Sequence, residues 1–231
     1  MNTFADRLAA VEESIQAAAT RSGRSRDEVE LVAVSKTHPP EAVGQAIACG
    51  QTLFGESRVQ EARAKIAECP AAARWHFIGH LQKNKVRQAL PLFELIHSVD
   101  SLDLAQDVDR IAAELGSRPR VLLEVNVAGE ASKHGFGPDA LRPQMEALLA
   151  LPRLEIEGLM AIPPVSAEPE DSRRYFAALR ELRDALQQEF GVQLGSLSMG
   201  MSGDFEVAIE EGATLVRVGT ALFGTRGSRQ A

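Results

Sequence analysis

One stretch decides the fold: Leu31-Val32-Ala33-Val34-Ser35-Lys36-Thr37-His38-Pro39-Pro40. Its first half is apolar and rich in β-branched residues, which predicts a buried strand that ends in a lysine and then turns. Because side chains alternate along a strand, Val32, Val34 and Lys36 are predicted to share one face. If that face is the inside of a barrel, Lys36 emerges at the C-terminal rim, the end at which barrel enzymes carry their catalytic groups.

Lys36 has two interpretations at this point. An ammonium at the end of a hydrophobic strand is costly unless it is hydrated, paired or covalently occupied. Burial favours the neutral, nucleophilic amine, which makes Lys36 a candidate for forming a Schiff base. The alternative is a lysine that simply reaches water, and these ten residues alone favour that alternative.

Strands and helices alternate along the rest of the chain. An amphipathic helix is predicted over residues 3–22, and eight strands follow, each with a helix after it except the last. Predicted strands lie near 31–36, 52–55, 74–79, 93–99, 119–127, 154–162, 196–199 and 214–218, and the longer helices near 58–67, 81–90, 101–116, 138–151, 168–190 and 204–211.

Strict alternation of this kind indicates parallel strands joined by right-handed crossovers. Eight such units predict an α/β fold of the (β/α)8 TIM-barrel class, with the N-terminal helix as an extra layer. An open, doubly wound sheet is the alternative. The chain shows no linker, low-complexity segment or internal repeat, so residues 1–231 are predicted to form a single domain.

Composition excludes several classes of function. Hydrophobic residues make up 45% of the 231, enough for a large core, and the net charge of −7 offers no basic face for nucleic acid or an anionic membrane. No apolar run approaches the about 18 residues that a membrane span needs. The acidic N-terminus does not resemble a secretory signal, and two isolated cysteines fit a reducing compartment. The expected location is the cytoplasm, without nucleic-acid or membrane partners.

Two loops carry the chemistry of a phosphate site. The first is Leu197-Ser198-Met199-Gly200-Met201-Ser202-Gly203-Asp204, where glycines and Ser202 precede a short helix. The second is Leu215-Val216-Arg217-Val218-Gly219-Thr220-Ala221, where Gly219 and Thr220 follow the last strand. Barrels often bind phosphate with the loops after strands seven and eight, so the two loops together predict a phosphate site more strongly than either loop alone. Taken alone, the first loop is equally well explained as the N-terminus of an ordinary capped helix.

Arg217 and Asn126 are polar residues within apolar strands. A guanidinium in a strand core must find a hydrogen-bond acceptor because it keeps its proton. Taken alone, Arg217 is better explained as the partner of a nearby carboxylate than as a ligand-binding residue. Asn126 either faces a ligand near the rim or makes structural hydrogen bonds. The spacing His76-x-x-x-His80 spans a strand and a loop and lacks the glutamate of a zinc-protease helix, so no metal site is predicted.

With these residues assembled, the chain resembles the pyridoxal-phosphate homeostasis proteins, single-domain relatives of the alanine-racemase barrel. The likeness runs almost end to end. It rests on Val34-Ser35-Lys36-Thr37, Phe54-Gly55-Glu56, His76-Phe77-Ile78-Gly79-His80-Leu81-Gln82-Lys83-Asn84-Lys85, His97-Ser98-Val99-Asp100, Gly158-Leu159-Met160, Ser198-Met199-Gly200-Met201-Ser202 and Arg217-Val218-Gly219.

The resemblance implies a cofactor and roles for individual residues. Lys36 would hold pyridoxal 5′-phosphate (PLP) as an internal aldimine, and Arg217 would face the pyridine nitrogen. Ser202, Gly219 and Thr220 would meet the phosphate. Asn126, Met160 and Gly203 are further cofactor-binding residues on this basis. The chain departs from the family's commonest pattern at Ser57-Arg58, where Asn-Tyr is expected, so contacts made by that pair do not carry over.

The resemblance also implies a function. We expect a protein of vitamin B6 homeostasis that holds PLP as a Schiff base, buffers it and delivers it, with PLP-dependent apoenzymes as possible recipients. No robust catalysis is expected, because the β domain that completes the site of barrel-type racemases has no counterpart before Ala231. The alternatives are a PLP-dependent amino-acid racemase and a Schiff-base aldolase acting on a sugar phosphate. The expected state is a monomer.

Overall fold

The structure is a computed structural model that describes residues 3–130 and 133–224. Within these ranges eight parallel strands close into a barrel in chain order. They are β1 (Glu30–Val34), β2 (Leu53–Glu56), β3 (Arg74–Phe77), β4 (Leu95–Val99), β5 (Arg120–Glu124), β6 (Glu155–Met160), β7 (Ser196–Met201) and β8 (Leu215–Val218).

The helices are α1 (Phe4–Arg21), α2 (Pro40–Ala48), α3 (Val59–Glu68), α4 (Val86–Ala89), α5 (Leu102–Leu115), α6 (Pro138–Leu141), α7 (Met145–Leu149), α8 (Arg173–Phe190), α9 (Phe205–Glu210) and α10 (Thr220–Phe223). Short 3-10 turns lie at Arg26–Glu28, Lys83–Lys85, Arg142–Gln144 and Pro169–Ser172. None of the helices in the described ranges combines the length and the apolar character needed to cross a membrane.

The first and last strands form the seam that closes the barrel. β1 pairs with β8 in parallel, with Glu30 opposite Leu215 and Ala33 opposite Val218. This pairing confirms the predicted (β/α)8 barrel, because an open sheet would leave both strands as edges. The predicted extra helix is α1, which begins with a capping box at Thr3 and packs against α9 and α10 near the seam.

Two groups of residues fill the inside of the barrel. One group is apolar and consists of Val32, Leu53, Leu95, Leu122, Met160 and Leu215. The other group is polar and buried and consists of His76, His97, Glu124, Ser198 and Arg217. His97 on β4 contacts Ser198 on β7. These strands are not neighbours, so the contact crosses the interior. Chemistry at the C-terminal rim therefore lies above a polar, not a purely apolar, core.

Three segments differ from the sequence-based expectation. The helix predicted over 138–151 is divided into α6 and α7 by the 3-10 turn at Arg142–Gln144, because Pro143 has no N–H to donate within a helix. The helix predicted over 81–90 is a 3-10 turn followed by the four-residue α4. After β8 the chain adds the short helix α10, which was not predicted.

Candidate cofactor-binding site

Lys36 lies at the C-terminal rim, beside the barrel seam. β1 ends at Val34, so the prediction that Lys36 is the last residue of the strand is wrong by two residues. Lys36 is part of a turn and its side chain is exposed. The cause is Thr37, whose φ of 69° turns the backbone into the left-handed region. The amine is therefore open to water and to small molecules in this structure.

A buried ion pair supports the Lys36 turn from below. Lys65 on α3 donates from Nζ to a carboxylate oxygen of Glu56 and, at 2.8 Å, to the carbonyl oxygen of Ser35. The hydroxyl of Ser35 donates to the same glutamate at 2.7 Å. Burial raises the pKa of Glu56, and the Lys65 ammonium opposes that shift. Both ends of the pair are shielded from solvent, so the position of Ser35 is fixed.

The backbone of the turn is fixed as well. The Thr37 N–H donates to a carboxylate oxygen of Glu61 at 2.7 Å, and the His38 N–H donates to the carbonyl of Ser35 at 3.0 Å. A non-glycine residue at positive φ is energetically unfavourable, and such geometry persists where surrounding contacts impose it. The result is a rigid backbone turn beneath an exposed lysine side chain.

The loops after β7 and β8 meet at Ser202. Its Oγ accepts hydrogen bonds from the N–H groups of Gly219 and Ala221, at 3.2 and 3.4 Å. Thr220 between them is exposed, and Gly203 is exposed with open space where a Cβ would lie. The structure therefore brings together Ser202, Gly219 and Thr220, the three residues predicted to meet the phosphate, and places Gly203 beside Ser202. Ser202 still has its own hydroxyl proton to donate.

Arg217 is buried inside the barrel and is held by backbone oxygens. Its Nη1 donates to the carbonyl oxygen of Ser198 at 2.7 Å and also to the Ser198 hydroxyl, and its Nη2 donates to the carbonyl of Ala161 at 2.9 Å. Among the described residues no carboxylate lies within ion-pairing distance, so the interpretation as a simple carboxylate partner is not what the structure shows. Burial lowers the pKa of Arg217 to about 10, which still leaves it cationic near neutral pH.

A chain of hydrogen bonds leads from Arg217 into the barrel. The Ser198 hydroxyl contacts Nδ1 of His97 at 2.8 Å, and Nε2 of His97 contacts Nδ1 of His76 at 3.0 Å. Burial lowers the pKa of His76 to about 3 and that of His97 well below its ordinary value, so both rings are neutral. A neutral ring has one donor and one acceptor.

A guanidinium only donates, so the Ser198 hydroxyl accepts from Arg217, and we assign the single hydrogen of that hydroxyl to His97, its other partner. Ser198 accepts from Arg217 and donates to His97, which donates to His76. The remaining N–H, on Nε2 of His76, has no partner among the described residues and faces a cavity of about 520 Å³ at the N-terminal end of the barrel. Sequence reasoning missed this network. The sequence signal for the network was that Arg217, Ser198, His97 and His76 all occupy inward-facing strand positions.

Glu124 is a second buried ionisable group that sequence reasoning did not assign to the site. It lies at the end of β5 and is nearly enclosed. Burial raises its pKa to about 7, and the negative charge of Asp100 adds to the shift. A carboxyl group that titrates near neutral pH beside a candidate site is typical of functional positions.

Asn126 and Met160 occupy structural positions. The Asn126 amide donates to the Glu130 carbonyl at 2.8 Å, and its Oδ1 accepts from the Glu130 N–H at 3.2 Å. Its side chain therefore closes a loop, which is the structural interpretation left open above. Met160 is the last residue of β6 and is buried in the apolar cluster inside the barrel.

Comparison with known proteins identifies the family. The profile of the family "Alanine racemase, N-terminal domain" matches residues 7–227. The pyridoxal phosphate homeostasis protein of Aquifex aeolicus is 49% identical, over 96% of this chain and 97% of that protein. PipY of Synechococcus elongatus, solved with PLP bound, is 43% identical, with a TM-score of 0.84 over 96% of this chain and all of that chain.

A more distant likeness shows the fold alone. Alanine racemase of Clostridium difficile 630 is 16% identical, with a TM-score of 0.71, and the match covers 97% of this chain but 58% of the racemase. The higher identities and the nearly complete mutual coverage lie with the homeostasis proteins. The chain therefore belongs to the family of pyridoxal phosphate homeostasis proteins, whose barrel matches the alanine racemase N-terminal domain.

Proposed function

We propose that this protein binds PLP through Lys36 and takes part in intracellular vitamin B6 homeostasis by buffering the cofactor and passing it on. One observation carries the proposal. An amine on the β1 side of the barrel seam and a set of hydroxyl and N–H donors on the β8 side lie at the same rim. PLP needs this combination, because it carries an aldehyde and a phosphate on one ring. The PLP-bound structure of PipY supports the same assignment.

Each proposed contact uses a different part of the site. The Lys36 amine forms a Schiff base with the PLP aldehyde and releases water. Ser202, Gly219 and Thr220 bind the phosphate through hydroxyl and backbone N–H groups, with Gly203 leaving room beside them. Arg217 faces the ring nitrogen with donors only, which disfavours protonation there and makes the ring a poorer electron sink.

The exposure of Lys36 supports reversible holding. A Schiff base at an exposed amine is open to water and to competing amines, so the aldehyde is released without a separate catalytic group. The ion pair beneath the turn keeps the amine in place between rounds of loading. PLP-dependent apoenzymes are the recipients in this proposal. Residues 1–231 act as one domain and as a monomer, and two free cysteines fit a reducing cytoplasm.

We also propose that the protein has no robust catalytic turnover. Its relatives carry the name of homeostasis proteins, not of enzymes. Tyr175, the single tyrosine of the chain, lies on α8, where its hydroxyl accepts a hydrogen bond from Arg174 at 2.9 Å. It is therefore a poor candidate for the second base that racemisation requires.

The test is an absorption spectrum of the purified protein with PLP, before and after borohydride. We expect a yellow Schiff-base band that borohydride removes, with the reduced adduct mapped to Lys36 by peptide mass spectrometry. Lys36→Ala should lose the band. Lys133→Ala, which removes another exposed lysine, should keep it. An adduct on any other lysine, or a band that survives in Lys36→Ala, would contradict the proposal.

The same protein tests the absence of turnover. Loaded protein is incubated with single amino-acid enantiomers and the products are resolved by chiral chromatography. We expect no enantiomer exchange above a protein-free PLP control. Exchange that depends on Lys36 would favour the racemase alternative, and trapping of a sugar-phosphate carbonyl on Lys36 in PLP-free protein would favour the aldolase.

A further inference from the structure

Three potential metal ligands converge at the same rim of the barrel, outside the contacts assigned to PLP. They are His80 after β3, Asp100 after β4 and His134 after β5, and one ligand atom of each lies within 4.8 Å of the others. Nδ1 of His80 lies 3.2 Å from Oδ2 of Asp100, and Nδ1 of His134 lies 3.8 Å from the same oxygen. Three consecutive strands thus deliver one ligand each.

These separations suit a first-row metal ion. Zinc binds imidazole nitrogen and carboxylate oxygen at about 2.0–2.2 Å, so two ligands of one ion are roughly 3–4 Å apart. The two measured distances lie within that span. Closing the third side of the triangle requires His134 to rotate, and its side chain is 58% exposed, which leaves room for that rotation.

The carboxylate is already oriented for this role. Oδ1 of Asp100 accepts a hydrogen bond from the Ser101 hydroxyl at 3.1 Å, which leaves Oδ2 to face both imidazoles. Asp100 is also mostly buried, with 11% of its side chain exposed. Outer-shell hydrogen bonds of this kind fix ligands at known metal sites. The two imidazole rings are stacked, with centroids 3.7 Å and planes 14° apart, so His134 must rotate off His80 before both rings can direct a nitrogen at one ion.

We propose that His80, Asp100 and His134 form a binding site for a divalent transition-metal ion of the zinc type. Two imidazoles and one carboxylate favour such ions over magnesium and calcium, which prefer oxygen ligands. Three protein ligands leave at least one coordination position open at the barrel mouth.

A metal ion at this site has a structural consequence. It fastens the loop after β5, which carries His134, to the ends of β3 and β4. Neither PLP nor Lys36 is needed for the ion to bind.

The experiment titrates the full-length protein, freed of any affinity tag, with Co²⁺ as a spectroscopic probe. We expect visible ligand-field absorption that saturates at a single equivalent, is displaced by Zn²⁺ and is unaffected by excess Mg²⁺. His134→Ala and Asp100→Asn should each weaken binding by roughly tenfold or more. His134 is exposed, so its replacement leaves the fold intact, which circular dichroism verifies.

Two matched variants serve as controls. His38→Ala removes a rim histidine outside the cluster, and Asp103→Asn removes a nearby exposed carboxylate that pairs with Lys83. Both should bind Co²⁺ as the wild type does. Absence of saturable absorption, or equal binding by wild type, His134→Ala and Asp100→Asn, would overturn the proposal. Loss of the Lys36 adduct with Co²⁺ binding intact would count only against the PLP assignment.

Discussion

Acidification should destabilise this protein through the two histidines inside the barrel. In the unfolded chain an imidazole takes up a proton near pH 6.5, whereas folded His76 does so only near pH 3 and folded His97 also far below 6.5. Below pH 6.5 the unfolded state therefore binds more protons than the folded state. The stability that both neutral rings contribute is complete above pH 6.5 and declines as the pH falls.

The magnitude follows from these pKa values. Between pH 7 and pH 5 the depressed pKa of His76 removes about 2 kcal/mol from the free energy of unfolding, and the depressed pKa of His97 lowers it further. Glu124 acts in the opposite direction, because its folded pKa is about 7 and its unfolded pKa about 4.5. Its protonation on acidification returns about 2 kcal/mol, which offsets the loss from His76 and leaves the loss from His97 as the net change for these three groups.

The assay is urea unfolding at pH 7 and pH 5, where the exposed carboxylates remain ionised. Three proteins should show three different responses. On acidification the wild type loses stability through these groups, Glu124→Gln loses about 2 kcal/mol more than the wild type, and the double variant His76→Gln/His97→Gln gains about 2 kcal/mol. Glu56 also has a raised pKa, but it is common to all three proteins and cancels in the differences.

The sign of the change in the double variant is decisive. If the doubly substituted protein lost as much stability as the wild type between pH 7 and pH 5, the rings would not be neutral in the folded state. The direction assigned to the hydrogen-bond chain from Arg217 would then be wrong as well, because it depends on neutral rings.

Three further substitutions have defined outcomes. Lys65→Met leaves Glu56 buried without its partner and should lower the free energy of unfolding by about 3–5 kcal/mol, measured by urea denaturation with the exposed Lys83→Met as a control that changes little. Gly200→Ala should lower the melting temperature sharply, because φ is +90° and the new Cβ would lie 2.6 Å from that of Ala208; an unchanged melting temperature would contradict this. Ser202→Ala should weaken PLP binding roughly fivefold, the equivalent of about 1 kcal/mol for one hydrogen bond, by fluorescence titration, and equal affinity would remove Ser202 from the phosphate site.

The barrel was predictable because its signals are local. Apolar strand runs alternate with helical periodicity, and eight repeats of that alternation leave few topologies open. The turn at Lys36 was not predictable in detail. Thr37 adopts positive φ because Glu61, on a helix 24 residues away, accepts its N–H. A contact of that range has no signature in the ten residues around Lys36.

The polar interior depends on still longer separations. His97 and Ser198 are 101 residues apart in sequence and meet only across the closed barrel. The spacing His76-x-x-x-His80 suggested two histidines that could act together, but the structure separates them. His76 points into the barrel, whereas His80 lies at the rim against His134. Asn126 was ambiguous because a polar residue at a strand end serves a loop and a ligand equally well by sequence.

The seam between β1 and β8 has a consequence for biosynthesis. A nascent polypeptide displays Lys36 early, but the donors around Ser202 and Gly219 emerge only with the final strand. If these residues bind the vitamer as proposed, its full recognition must await closure of the barrel, and the vitamer cannot template earlier steps of folding. Because a ligand stabilises only the state that binds it, uptake of the vitamer during refolding would be a direct reporter of the moment at which the ring of strands closes.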